Sequence, residues 1–258
     1  MRENADRFEG LAETYALHRP TYPIEAFDRL AAACTSDRRL AVDVGAGPGN
    51  STEVLRAALP PKWHVAAVEP GRDMRRVLSR RFTDNPGVQV IDAAAESMPL
   101  PSGSAGLLVA CTAFHWFDRG AFLAEAGRVL APQGVLALVR NRRRPLPILE
   151  DFDRYIAERS VEVIDYDERE RRKEPTVREL MAESEFMTAR SFTITWREDR
   201  NCQSLVNLYL TRSTVWGIVR QIGLGPVISD LAAICERHGG TQVPIEWETT
   251  VKWVQRRP

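Results

Sequence analysis

Asp43-Val44-Gly45-Ala46-Gly47-Pro48-Gly49-Asn50 follows the apolar run 40–44 (LAVDV) and opens a helical pattern at 50–59. Glycines at such a junction let the chain turn sharply and approach a ligand closely, where a helix N-terminus offers free N–H groups. The spacing is GxGxG. A dinucleotide-binding fingerprint needs a further glycine at position 50, where Asn50 stands. Working outward, the runs 65–69 (VAAVE), 88–92 (VQVID), 107–111 (LLVAC) and 134–139 (GVLALV) read as buried strands. Helical patterns at 72–83 and 119–130 lie between them. Strand alternating with helix implies right-handed crossovers and a parallel sheet covered on both faces.

Three more elements follow the glycine loop at the ends of successive strands. They are Glu69, the stretch Ala94-Ala95-Glu96-Ser97-Met98-Pro99, and Phe114-His115-Trp116-Phe117-Asp118. Open α/β sheets bind ligands at the carboxyl ends of their strands, and an acid about twenty residues past the loop accepts ribose hydroxyls. A glycine loop alone is a tight turn; four elements in this order point to a nucleoside-containing ligand.

Before the first strand, 2–18 and 23–33 read as two helices separated by His18-Arg19-Pro20-Thr21-Tyr22-Pro23. After Arg140 the pattern changes. Charge clusters in 141–175 (NRRRP, then DYDERERRKEP) around the amphipathic LEDFDRYIAERS, which reads as a helix flanked by solvated lid or loop. Alternation returns at 190–197, with Phe192, Ile194 and Trp196 on one face. Helices are expected at 203–220 and 225–238, and VPIEWETTVKWV closes the chain as a strand. The two late strands would pair antiparallel at the sheet edge.

Composition narrows the function classes. The chain has 258 residues, 35 basic against 35 acidic, and 44% hydrophobic residues. That suits a full core and argues against a disordered tail or a nucleic-acid partner. Lys62, Lys173 and Lys252 are the only lysines; the scattered arginine excess matched by acid reads as codon habit, not as a phosphate surface. The four cysteines (Cys34, Cys111, Cys202, Cys235) form no CxxC pair, so neither a disulfide scaffold nor a zinc ribbon is expected. His18, His64 and His238 have no metal-ligand spacing, so no metal is expected. No apolar run reaches eighteen residues and the N-terminus has no signal core, so no membrane association and a reducing cytoplasm are the expectations.

The ensemble resembles the class I S-adenosylmethionine-dependent methyltransferases, and within them the small-molecule branch related to trans-aconitate methyltransferases. The matching stretches are DVGAGPGN (43–50), VEPGRDM (68–74), AAAESMPLP (93–101), AFHWFD (113–118), FLAEAGRVLAPQGVLAL (122–138) and the lead-in YALHRPTYP (15–23). Beyond residue 140 the likeness rests on LTRSTVW (210–216) and the closing VPIEWETTVKW. The resemblance implies a three-layer, doubly wound α/β Rossmann-like domain over 1–258, with a mostly parallel seven-stranded sheet, one antiparallel edge strand and extra helices over the site. Its parts would be closing helices (1–33), a cofactor core (34–140), acceptor-site caps (141–185 and 203–240) and terminal strands (186–200 and 243–256).

It also implies S-adenosylmethionine as cofactor, S-adenosylhomocysteine as product and a small-molecule acceptor. Gly45, Ala46, Gly47 and Asn50 would hold the methionyl part, with Asp43 bracing the loop or reaching the amino group. Glu69 would take the ribose hydroxyls. Pro70, Met74, Ala94, Ala95 and Glu96 would approach the adenine, with Cys111, Thr112 and Trp116 completing the cofactor wall. Tyr15 and Arg19 would close over the top, Arg19 against the carboxylate. The sequence departs from the family at Ala94, where many relatives carry Asp, and at Gly106, where Asp is usual before the fourth strand.

Methyl transfer from a sulfonium is an in-line displacement, so holding nucleophile and methyl in line supplies much of the catalysis. His115 is the candidate base for an alcohol, phenol or amine; a carboxylate acceptor needs none. Tyr22, Phe114, Arg212, Ser213 and Trp216 are candidate acceptor contacts. Oxygen is the expected acceptor atom ahead of nitrogen or carbon. A non-methylating reaction on the same cofactor and a non-catalytic binding protein are the alternatives.

Overall fold

The computed structural model of the chain describes residues 10–159, 177–181, 185–239 and 242–258. Its sheet is built from strands β1 (Leu40–Val44), β2 (His64–Val68), β3 (Val88–Ile91), β4 (Ala105–Cys111), β5 (Leu130–Arg143), β6 (Phe186–Arg200) and β7 (Val243–Arg256). The order is β3-β2-β1-β4-β5-β7-β6. The first five strands run parallel, and β7 runs antiparallel between β5 and the outermost strand β6. The order reverses at β1 and β4, which places a ligand crevice beyond their carboxyl ends.

The period of two in the central strands decides which face each residue serves. Val42, Leu108, Ala110, Leu136 and Leu138 pack on one face with Phe122 and Leu123 of helix α5 (Arg119–Val129). Ala41, Leu107, Val109, Val135, Ala137 and Val139 pack on the other. There they meet Phe27 and Leu30 of α2 (Ile24–Ala33) and Leu55 of α3 (Asn50–Ala58). Continuous apolar runs in strands covered on both sides are what this arrangement requires. Helices α1 (Ala12–His18) and α4 (Arg72–Arg81) complete the front of the molecule.

A second packing centre lies off the sheet. Helices α6 (Pro147–Arg159), α8 (Cys202–Leu210), α9 (Ser213–Ile222) and α10 (Leu224–Arg237) surround Phe152 and Tyr209, whose rings meet edge to face at 4.6 Å. A short helix, α7 (Val177–Met181), precedes β6.

Three expectations need correction. The helix expected at 203–220 is two helices. Thr211 turns its hydroxyl back onto the Leu208 carbonyl (2.6 Å) and Arg212 is extended, so the ladder stops between α8 and α9. Cys202 and Cys235, separated by 33 positions in sequence, form a disulfide joining α8 to α10, a pairing no local spacing reveals. The run NRRRP is not a solvated loop: Asn141–Arg143 end β5, and Arg144 pairs with Glu246 and Glu248 of β7. The charged stretch DYDERERRKEP and the start of the helix expected at 2–18 lie outside the described residues. Gly106, where the family has Asp, packs so tightly that a Cβ would stand 2.4 Å from the Arg38 carbonyl oxygen.

Candidate active site

The glycine loop leaves β1 with three consecutive demands on its backbone. Gly45, Gly47 and Gly49 all have positive φ (70°, 57° and 100°), a region L-residues enter at a cost. Their surroundings differ. A Cβ on Gly45 would stand 2.7 Å from Ala113 Cβ, and one on Gly49 2.8 Å from the Phe82 ring, whereas one on Gly47 would meet open space. Gly45 and Gly49 are therefore packing positions, and Gly47 is open toward solvent where a ligand can approach.

Two buried acids hold this loop. Asp43 is fully buried and accepts from the Ser51 and Thr52 hydroxyls of α3, both at 2.7 Å through Oδ2. Burial pushes its carboxyl up to about 6, against the pull of those two hydrogen bonds. Its Oδ1 has no partner. Glu69 accepts from the Gly47 N–H (2.8 Å) and the Gly71 N–H (2.7 Å), clamping the loop to the end of β2. Burial raises its carboxyl as well, opposed by those N–H groups and by Arg75.

Asn50 reaches across to α1, donating to the Ala16 carbonyl at 3.3 Å, while Arg81 donates to its Oδ1. Met74 packs with Ala12 and Val77, and with Tyr15 behind them. These contacts lay α1 over the loop. Arg19, just past α1, stacks over Tyr15 (4.9 Å) and donates to the Thr211 carbonyl (3.4 Å). The break between α8 and α9 makes that contact available, because Val215 N–H donates to Arg212 rather than to Thr211. Arg19 Nε is buried without a partner.

The result is a small, open cleft. Of the residues expected to bind cofactor, Tyr15, Arg19, Gly45, Ala46, Gly47 and Asn50 line it, as do Cys111 and Thr112 at the end of β4. Tyr22, an expected acceptor contact, lines it too and donates to Thr112 Oγ1 at 3.0 Å. Asp43, Glu69 and Met74 stand behind this lining.

Other expected residues are placed elsewhere. Ala94 bridges to Ser97, Ala95 is buried, and Glu96 accepts from the Asp118 N–H (2.8 Å), bracing the entry to α5. The Pro70 carbonyl is taken by Arg75. His115 is exposed and rests on the Trp116 ring at 4.7 Å, and neither lines the cleft. Phe114 is a core residue, edge-on to Phe122, rather than an acceptor contact. Arg212 is held by Asp153 at 2.6 Å and Trp216 donates to the Leu210 carbonyl, so both serve the cap; Ser213 begins α9 outside the lining.

Asn141 and Trp247, which the sequence reading missed, line the far end of the cleft. Asn141 is the first polar residue on its face after the apolar run of β5, and that position at a strand's carboxyl end is a readable signal. Trp247 has none, because only the register Arg143↔Trp247 brings β7 to the cleft. Among the described residues no group of three His, Cys, Asp or Glu side chains is placed to hold a metal, and no single helix is long and apolar enough to cross a membrane.

An acid and a base, each with one buried unpartnered polar atom, thus flank an open glycine loop. This donor set fits a ligand bearing an amino-acid group on a nucleoside. Comparison with known proteins agrees. Residues 42–138 match the family described as Methyltransferase domain. A protein of Dictyostelium discoideum, provisionally named a methyltransferase, is 34% identical over 133 residues, 52% of this chain and 48% of its own length. An uncharacterised methyltransferase of Mycobacterium tuberculosis is 34% identical over 143 residues, 55% of each chain. The chain thus spans about half the length of these relatives. A solved structure from Anaeromyxobacter dehalogenans, provisionally named a type II methyltransferase, is 26% identical with a TM-score of 0.67, covering 93% of this chain and 97% of that one. The fold is the Rossmann-like fold that methyltransferases share. The stretch that matches a methyltransferase domain, residues 42–138, runs from β1 to the core of β5.

Proposed function

We propose that the chain transfers a methyl group from S-adenosylmethionine to an oxygen atom of a small-molecule acceptor. The observation that carries this reading is the continuity of the cleft. It runs from Gly45–Gly47 past Thr112 to Asn141 and Trp247, so cofactor loop and acceptor wall share one space. S-adenosylmethionine supplies a methyl group activated by its sulfonium. The protein supplies placement: the glycine loop, held in shape from behind by Glu69, receives one end, and Tyr15 and Arg19 cover it. Excluding water and aligning the acceptor is the catalytic work required of such a site.

No His, Asp or Glu is among the described residues that line the cleft. That favours an acceptor oxygen already ionised, as in a carboxylate, over a neutral amine or alcohol that needs a base. With His115 at the surface, alignment rather than proton abstraction carries the reaction.

Calorimetric titration with S-adenosylmethionine, followed by assay of S-adenosylhomocysteine with a panel of carboxylates, phenols and amines, tests the proposal. Binding with carboxylate-dependent product formation is expected. Substrate turnover without S-adenosylhomocysteine would establish a non-methylating reaction, and no binding at millimolar ligand would leave a non-catalytic protein. Glu69→Ala is expected to weaken cofactor binding about tenfold or more, the loss of hydrogen bonds to a charged group. Full affinity in that variant removes Glu69 from the ribose role.

A further inference from the structure

Thr112 directly follows β4, the most buried strand of the sheet, and stands in left-handed backbone, at φ 52°. For a β-branched residue that conformation is strained and persists only when its surroundings hold it. Two contacts do so. The Thr112 N–H donates to the Val139 carbonyl at 2.8 Å, and Oγ1 accepts the Tyr22 hydroxyl at 3.0 Å. Both residues line the same cleft as Gly45 and Gly47.

The direction of the Tyr22–Thr112 bond matters. Tyr22 gives its hydrogen to Thr112, so the phenol oxygen keeps its lone pairs. Burial raises the phenol well above its ordinary range, so it remains a neutral dipole rather than a base. The one charged side chain lining the cleft among the described residues, Arg19, is a cation. A ligand carrying positive charge in mid-molecule needs electron-rich atoms there, and two hydroxyl oxygens on a strained, fixed support provide them without the desolvation cost of a carboxylate.

We propose that the Tyr22–Thr112 hydroxyl pair faces the sulfonium and distinguishes the charged cofactor from its neutral thioether product. This rests on the cofactor reading above and adds a role for two of its residues. The pair holds the methyl-bearing sulfur when the ligand is cationic. After transfer the charge is gone, the attraction is gone with it, and the product leaves more readily. A site that bound both forms equally would gain nothing from such a device; the pair acts through differential affinity.

The test is calorimetric binding of S-adenosylmethionine and of S-adenosylhomocysteine to the full chain and its variants. Tyr22→Phe keeps the ring, which stands edge-on to Phe27 at 6.1 Å, and removes only the hydroxyl. S-adenosylmethionine affinity is expected to fall about fivefold, the size of one modest polar contact, with S-adenosylhomocysteine affinity unchanged within about twofold. Thr112→Ala should shift the ratio in the same direction, and Thr112→Ser, which keeps the hydroxyl, should preserve it. Equal weakening of both ligands, or of neither, overturns the proposal and leaves the bond a clasp between the α1–α2 linker and β4. Failure of the unaltered chain to bind either ligand overturns the cofactor reading itself. Thermal melting of each variant separates unfolding from either outcome.

Discussion

The sheet and the helical cap meet at the cleft but are held together by different chemistry. In the sheet half the ligand-facing surface is mostly backbone: Gly45, Gly47 and the end of β4, braced from behind by Asp43 and Glu69. In the cap the polar side chains are engaged with each other. Asp153 is shared by Arg143 and Arg212, and both guanidiniums lie over the Tyr209 ring at 5.3 and 5.2 Å. The Tyr209 hydroxyl in turn donates to the Leu149 carbonyl at 3.2 Å. The cap reaches the site through a main-chain group, the Thr211 carbonyl on Arg19, and through Trp247, which packs with the cap and lines the far end of the cleft. Cofactor affinity should therefore be sensitive to small changes in the loop and tolerant of large ones in the cap.

Phe152→Ala is the harshest probe of that contrast. The ring is fully buried at the centre of the cap, and truncation should cost about 3–5 kcal/mol in urea unfolding. S-adenosylmethionine affinity should stay within about threefold, because the cap meets the cofactor end through the Thr211 carbonyl and Trp247 stands at the far end of the cleft. A tenfold loss of affinity would show that the cap shapes the cofactor end directly. Cys235→Ala comes next. The bridge to Cys202 closes a 33-residue separation containing α8, α9 and most of α10. In the chain-entropy account its loss removes about 3 kcal/mol. The melting temperature should drop in the unaltered chain on reduction, and no further in the variant.

Gly45→Ala reverses the pattern. A left-handed alanine costs roughly 1–2 kcal/mol, and its methyl would press on Ala113 Cβ at 2.7 Å. The expected loss of stability is smaller than for Phe152→Ala. The expected loss of cofactor affinity is larger, about tenfold or more, since displacing Gly45 also displaces Ala46 and Gly47, which line the cleft. Equal affinity in both variants would abolish the distinction between the two halves.

The same contrast explains what could be read from the sequence. Strands β1 to β5 announced themselves because burial on both faces leaves uninterrupted apolar runs bounded by glycine and polar turns. The loop at 43–50 was legible because positive φ and close approach restrict residue choice. The cap was not, since helices packing on each other require only an amphipathic stripe, which many arrangements satisfy. The α8–α9 break depends on a Thr211 hydroxyl competing for a helix carbonyl, an effect too weak to read without its Asp153–Arg212 neighbour. Trp247 and the Cys202–Cys235 pair are brought into place by long-range register alone. His115 sits in AFHWFD, one of the stretches that resemble methyltransferases, yet the turn at Phe114–Trp116 leaves its ring at the surface.

The finest probe of the sheet half is the protonation of Asp43. Its carboxyl is raised from 3.8 to about 6, so between those values the folded chain holds a proton that the unfolded chain has released. The contribution of this group to stability is therefore fully present below about pH 4. It declines as pH rises toward 6 and is flat beyond, with a ceiling of about 3 kcal/mol for two pH units. Glu69 is raised too and acts in the same direction, while Asp73 and Glu125, lowered by arginines, act in the opposite one. Comparison with Asp43→Asn isolates the term, because asparagine still accepts from Ser51 and Thr52 and cannot ionise. The two proteins should have matching urea midpoints near pH 4, and the variant should gain about 1–2 kcal/mol over the unaltered chain by pH 7. A difference independent of pH would mean that Asp43 titrates in its ordinary range and that the loop is wetter than its packing implies. If the stabilised variant also binds S-adenosylmethionine less tightly at pH 7, the charge on Asp43 serves the ligand at the expense of the fold. That is the trade expected of a buried acid with one oxygen left unpartnered.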